Sequence, residues 1–190
     1  MKQFSLQVIA ACLLAGSLSL PSFSQQLPPG VTLRVVIIRH GEKPPTGDNL
    51  SCQGLNRSLA LPRVLDSLFG APAYTYVPTI QTGKSTSSVR MFQTVTPFAV
   101  EHNLTIDSKY AETDTVKVAA EVMKKSGLVL MVWEHHNIPG IARNLGVQGV
   151  PGWKGSDFDS IWIIDFIKGK SIPQLTISQE NIFPAAGCPW

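Results

Sequence analysis

Apolar positions along this chain recur with two periods, one suited to strands and one to helices. Residues 31–38 (VTLRVVII) are a β-branched run that ends at Arg39-His40-Gly41, which predicts a buried strand running into a loop. Residues 55–69 place Leu55, Leu59, Leu61, Val64, Leu65 and Leu68 at helical spacing, with Gly70 as the stop. Pro62 falls inside that pattern and is expected to kink the helix or mark its first turn. Residues 74–80 read as a second strand, about 87–102 as a helix, 104–106 as a brief extended piece, and 113–125 as a helix closed by Gly127. A third apolar strand, 128–133 (LVLMVW), leads into Glu134-His135-His136 and a helix over 139–145. Strands over 161–167 and, at an edge, 174–178 follow. Strands alternate with helices, and the apolar runs are too continuous for a sheet wetted on one face. This predicts an α/β fold, a three-layer α/β/α sandwich with a mostly parallel central sheet.

The first residues follow another pattern. Lys2 is a short basic start, residues 4–20 are apolar and uncharged, and Ser22-Phe23-Ser24 supplies small residues before Gln25-Gln26. We expect a cleaved signal peptide over 1–24, a Pro-Pro-Gly linker over 25–30 and one domain over 31–190, hence a protein that is exported to the periplasm or secreted. Alternatives are an uncleaved anchor or lipidation at Cys12. Cleavage removes Cys12 and leaves Cys52 and Cys188, an even pair that reads as one disulfide in an exported chain. The full chain has 190 residues and a net charge of +3, and losing Lys2 takes that to +2. So small an excess points away from nucleic acid and, after signal cleavage, from membranes. Nothing in the sequence sets an oligomeric state.

Ligands of open parallel sheets bind at the carboxyl ends of the strands. The first predicted strand ends at Arg39-His40-Gly41-Glu42, the second is followed by Arg90 near a helix start, and the third ends at Glu134-His135. Two histidines and two arginines at one rim suit a small anion. Guanidinium forks donate paired hydrogen bonds to phosphate at any working pH, and a neutral imidazole can carry a phosphoryl group covalently.

Arg39-His40-Gly41-Glu42 after its apolar strand resembles the Arg-His-Gly signature of the histidine phosphatase (phosphoglycerate mutase-like) superfamily. Arg90-Met91-Phe92-Gln93-Thr94 is similar to that family's Arg-x-x-x-Thr block, and the strand ending in Glu134-His135 is similar to its second-histidine block. The stretch 50–54 looks like the family's turn before its first helix. The resemblance spans about residues 31–146. It implies His40 as nucleophile, Arg39 and Arg90 as phosphate ligands, and His135 as a second, charge-stabilising histidine. It also implies a small phosphorylated substrate, with no cofactor and no metal. The general acid is left open among Glu42, Glu112, Asp114 and Glu134, with Glu112 at a place where some members carry an acid. His136 stands where the family often has a small residue, and the spacing to Pro139 leaves Glu134 or His136 as competitors for the position assigned to His135.

The same residues carry other readings. Gly83-Lys84-Ser85 imitates the end of a P-loop, but Pro78 occupies the position of the required first glycine. Glu134-His135-His136 imitates a metal site, yet adjacent residues beyond a strand are expected to point apart. Trp153 is a candidate for a substrate loop. An inactive phosphate- or anion-binding module of the same fold is the main functional alternative, and an enzyme working on a membrane phosphate is a second.

Overall fold

The computed structural model describes residues 27–83 and 85–190. The expected signal peptide, the possible lipidation at Cys12 and Lys84 of the P-loop-like triplet lie outside the described residues. The elements run β1 (Val31–Arg39), α1 (Cys52–Phe69), β2 (Tyr74–Tyr76), α2 (Val89–His102), β3 (Ile106–Asp107), α3 (Thr115–Val122), β4 (Gly127–Trp133), α4 (Ile138–Asn144), β5 (Ser160–Ile167) and β6 (Gln174–Gln179).

They form one six-stranded sheet in the order β3-β2-β4-β1-β5-β6. β3, β2, β4 and β1 are parallel, whereas β5 runs antiparallel to β1, and β6 antiparallel to β5. The expectation of a mostly parallel sheet therefore holds for one side only. A parallel β5–β6 pair would need a crossover of about a dozen residues, and only 168–173 join the two. β5 is reversed because the stretch 145–159 climbs back to the rim where β1 ends. The start of β5 thus pairs with the end of β1, Ile161 opposite Ile38.

Side chains alternate across β1 into two cores. Leu33, Val35 and Ile37 join α3, α4, Trp133 and Trp162 on one face. Val36 and Ile38 join α1 and α2 on the other. Each fully buried Leu, Ile or Val contributes roughly 1.5–3 kcal/mol of transfer free energy, which fixes which face every strand residue takes.

Ser51 caps α1, its hydroxyl accepting from the Gly54 amide at 3.1 Å. The helix runs on through Pro62, longer at its start than the apolar spacing implied. Cys52 and Cys188 are joined in a disulfide across 136 residues. In the chain-entropy view such a loop contributes on the order of 4–5 kcal/mol. Asn56 adds to this clasp by donating to the carbonyls of Ala185 and Gly187. No helix of the described residues is long and apolar enough to cross a membrane.

Candidate active site

The rim beyond β1 and β4 collects the chemistry. The β1–β4 ladder continues one step past Arg39, where the His40 amide donates to the Trp133 carbonyl at 3.2 Å. That step sets His40 beside the turn carrying His135. Gly41 then passes against α1. A Cβ on Gly41 would meet the Gly54 carbonyl oxygen at 2.8 Å, and one on Gly54 would meet the Glu42 carbonyl oxygen at 2.2 Å. Two glycines thus let the loop after the histidine lie backbone to backbone on the helix start. The Gly41 amide donates to the Thr94 hydroxyl at 2.9 Å, and Thr94 donates in turn to the Arg90 carbonyl at 2.8 Å.

His40 is 1% exposed, and its Nδ1 lies 2.7 Å from the Gly41 carbonyl oxygen. A carbonyl can only accept, so Nδ1 carries the proton and Nε2 keeps its lone pair. Burial pushes the His40 pKa down to about 3. The Gly41 bond opposes this, while the charges of Arg39, Arg90 and His135 add to it. Two arginines and a second imidazole therefore act on this ring from one rim. In an NMR titration of the free protein, the His40 ring signals should hold until below pH 4 rather than turning over near 6.5. A midpoint near 6.5 would show that the ring is solvated and not held as described.

Arg39 is 2% exposed and locked by the stretch 153–160. One terminal nitrogen donates to the carbonyls of Gly155 (2.7 Å) and Asp157 (3.0 Å), and the Phe158 ring lies 3.7 Å from the guanidinium carbon. Burial lowers its pKa to about 10, so it stays charged at neutral pH. Arg90, in the first turn of α2, donates to the Gly47 carbonyl at 3.1 Å. The Nε–H groups of both Arg39 and Arg90 are buried and donate to no described protein atom. Leaving a charged donor unmatched costs at least about 1–3 kcal/mol, which an oxyanion at the rim would recover.

His135 is buried, and its Nδ1 lies in close contact with Glu134 Oε1, without the alignment of a hydrogen bond. Burial lowers its pKa to about 4, with Arg39, His136 and Lys43 adding to the shift. Free His135 is thus neutral at pH 7, and an arriving dianion would favour its protonation.

No family model matches the sequence, and neither does any curated protein. Solved structures do match. One is assigned as phosphohistidine phosphatase SixA from Nakamurella multipartitia, with TM-score 0.55 and 15% identity over 84% of this chain and 100% of that one. A second is the protein histidine phosphatase SixA complexed with tungstate, with TM-score 0.51 and 13% identity over 77% and 97%. A third is assigned as an alpha-ribazole-5'-P phosphatase from Escherichia coli, with TM-score 0.52 and 10% identity over 84% and 99%. This chain shares its fold with these solved phosphatase structures.

Within this fold the acidic candidates separate. Glu42 binds Arg57 through both carboxylate oxygens (2.8–3.1 Å), and Arg57 also holds Glu180 at 2.6 Å and Asp159 at 3.2 Å. Glu42 is thereby committed to a buried ion cluster behind the loop that carries His40. Asp114 pairs with Lys117 on the outside of α3. Glu112 sits between the two halves of the rim. Its Oε2 accepts from Ser88 beside the start of α2, its Oε1 lies 3.5 Å from Asn137 Nδ2 in the turn after His135, and its backbone carbonyl accepts from the Trp133 indole.

Two expectations need correction. His135 and His136 do not point apart: β4 stops at Trp133, residues 135–137 form a turn, and the two rings lie 3.9 Å apart. Strand alternation does not apply beyond the strand. Trp153 does not present a free ring to a substrate. It is buried against Trp162 and donates to the Asp157 carbonyl, bracing the stretch that grips Arg39. Phe158, Asp157, Arg57 and Glu180 escaped the sequence reading. The Asp157-Phe158-Asp159-Ser160 run in a glycine-rich stretch was the available signal, since Asp157 caps the amides of Asp159 and Ser160.

Proposed function

We propose that this chain is an exported phosphatase that hydrolyses a phosphomonoester through a phosphohistidine formed on His40. The observation that carries this reading is a buried imidazole with its Nδ1 proton committed to Gly41, set among Arg39, Arg90 and His135. The three solved structures named above are assigned as phosphatases, and one of them is complexed with tungstate, a tetrahedral oxyanion like phosphate. The disulfide favours an oxidising compartment, in keeping with export.

In the proposed reaction Arg39 and Arg90 bind the phosphoryl oxygens. His40 Nε2 attacks phosphorus, and the bond to the leaving oxygen breaks. His135 donates to the equatorial oxygens, where charge develops. Glu112 protonates the leaving alkoxide and then takes a proton from the water that attacks the phosphohistidine. Inorganic phosphate leaves and His40 is regenerated.

A panel of phosphomonoesters with rapid acid-free quench tests the reading, because phosphohistidine is acid-labile. Turnover with a labelled, base-stable phosphoenzyme is the expected result. Stoichiometric phosphate binding without labelling on any compound would instead establish the anion-binding module.

Glu112→Gln tests the acid. Turnover of an alkyl phosphate should fall about 10²–10⁴-fold. An aryl phosphate, whose leaving group needs little protonation, should lose far less. Equal losses on both substrates would remove Glu112 from this role.

A further inference from the structure

Two serines open helices in this chain, and they behave differently. Ser51 stands in extended backbone, φ −73° and ψ 170°, and its hydroxyl accepts from the Gly54 amide, as an N-cap does. Ser88 opens α2 in the left-handed region, φ 64° and ψ 9°, and makes no side-chain cap bond. That conformation is unfavourable for a residue with a Cβ and free of strain only for glycine. Among the described residues the other non-glycine positions with positive φ are Asn103 and Asn181, a residue type that tolerates this region. Ser88 thus forgoes both an easy backbone and its cap, and its hydroxyl instead donates to Glu112 Oε2 at 2.9 Å. The flanking chain holds it there. The Gln81 amide donates to the Ser87 carbonyl at 3.1 Å, Ser87 Oγ donates to Gln81 Oε1 at 2.9 Å, and the Val89 amide donates to the Thr86 carbonyl at 3.2 Å. A strained residue persists when its surroundings fix it in this way.

The Glu112 carboxyl has little else to orient it. Its backbone carbonyl is fixed by the Trp133 indole at 2.8 Å, but Oε1 has only Asn137 Nδ2, at 3.5 Å. We infer that Ser88 is a positioning residue for the general acid: its hydroxyl fixes Oε2 of Glu112 and leaves Oε1 to carry the transferred proton. Oε1–H gives that proton to the leaving oxygen, and Oε1 later takes one back from the attacking water. A hydroxyl suits this cycle because it donates to the carboxylate and can turn to accept. Arg90 follows Ser88 by two residues in the first turn of α2, so one short segment sets a phosphate ligand and the acid in register. This role rests on the phosphatase reading.

Ser88→Ala and Ser88→Gly separate the hydroxyl from the backbone. Both lose the donor, but only glycine relieves φ, so Ser88→Gly should unfold about 2–4 °C above Ser88→Ala. Turnover of an alkyl phosphate should fall about tenfold in both variants, and turnover of an aryl phosphate less than about twofold. Ser88→Asn, which tolerates the left-handed region and returns an N–H donor, should recover alkyl turnover to within about threefold of wild type. The assignment is overturned by alkyl turnover that follows thermal stability across the series, or by equal losses on both substrates. A wild type without turnover on any phosphomonoester sinks the phosphatase reading and this role with it. Normal wild-type turnover, matched by both donorless variants, sinks this role alone.

Discussion

Replacing His40 by alanine is expected to cut phosphomonoester turnover by at least about 10³-fold and to abolish phosphoenzyme labelling. The loss should be this large because the imidazole supplies the atom that bonds to phosphorus, and no neighbour can replace it. Arg39 and Arg90 carry no lone pair at neutral pH, and His135 is held with Nδ1 against Glu134. Anion binding should largely survive. Arg39 keeps its grip on Gly155 and Asp157, and Arg90 keeps Gly47, so tungstate or phosphate affinity should stay within about tenfold of wild type. Folding is checked separately, since the substitution opens a small cavity and frees the Gly41 carbonyl, at a cost of about 1–3 kcal/mol. Wild type and His40→Ala with matching turnover on every substrate would refute the phosphohistidine route. Matching anion affinity with no turnover in either would leave a binding module.

Much of this arrangement was legible because it depends on short-range patterns. Apart from Arg34, the runs 31–38 and 128–133 are β-branched or apolar on both faces, which marks them as interior strands whose ends meet at one rim. The reactive residues follow those ends directly. What escaped the reading depends on long-range return of the chain. Nothing local in residues 145–159 announces that they climb back over the rim, so neither the reversal of β5 nor the clamp on Arg39 could be inferred. Likewise Glu42 looked free to act as an acid because its partner Arg57 lies 15 positions away on α1. The cluster's deepest member, Glu180, follows β6 and comes from beyond residue 146, where the resemblance ended. The turn at 135–137 failed for the opposite reason: it is local, but strand alternation was carried one residue too far.

Arg57→Ala should destabilise the fold by about 3–5 kcal/mol at pH 8, because it strands carboxylates that one guanidinium now holds. Arg57 is itself buried, and the hydrogen bonds of Glu42 and the charge of Glu180 outweigh burial to raise its pKa. Three carboxylates share this single cation, and Glu180 is the most enclosed, its side chain fully shielded from solvent. Burial, opposed by Arg57 and reinforced by Asp159 and Glu42, pushes the Glu180 pKa up to about 8 from 4.5. The folded chain therefore holds a proton between pH 4.5 and 8 that the unfolded chain has released. Stability from this group is complete below pH 4.5 and is lost as pH rises through 8. His40 acts in the opposite sense. Its pKa falls to about 3, so its stabilising share is present above about 6.5 and is lost as pH drops towards 3. Urea unfolding of wild type against Glu180→Gln isolates the carboxyl. Wild type should lose on the order of a few kcal/mol relative to the variant between pH 5 and 8.5. The Arg57→Ala penalty should stay level while Glu180 keeps its proton and grow as pH rises through 8, because the arginine matters most once Glu180 must ionise. A penalty that shows no rise as pH passes through 8 would mean that Arg57 does not govern the ionisation of Glu180 and that the cluster holds no shared proton. The loop carrying Glu42 would then be anchored by fixed charges alone.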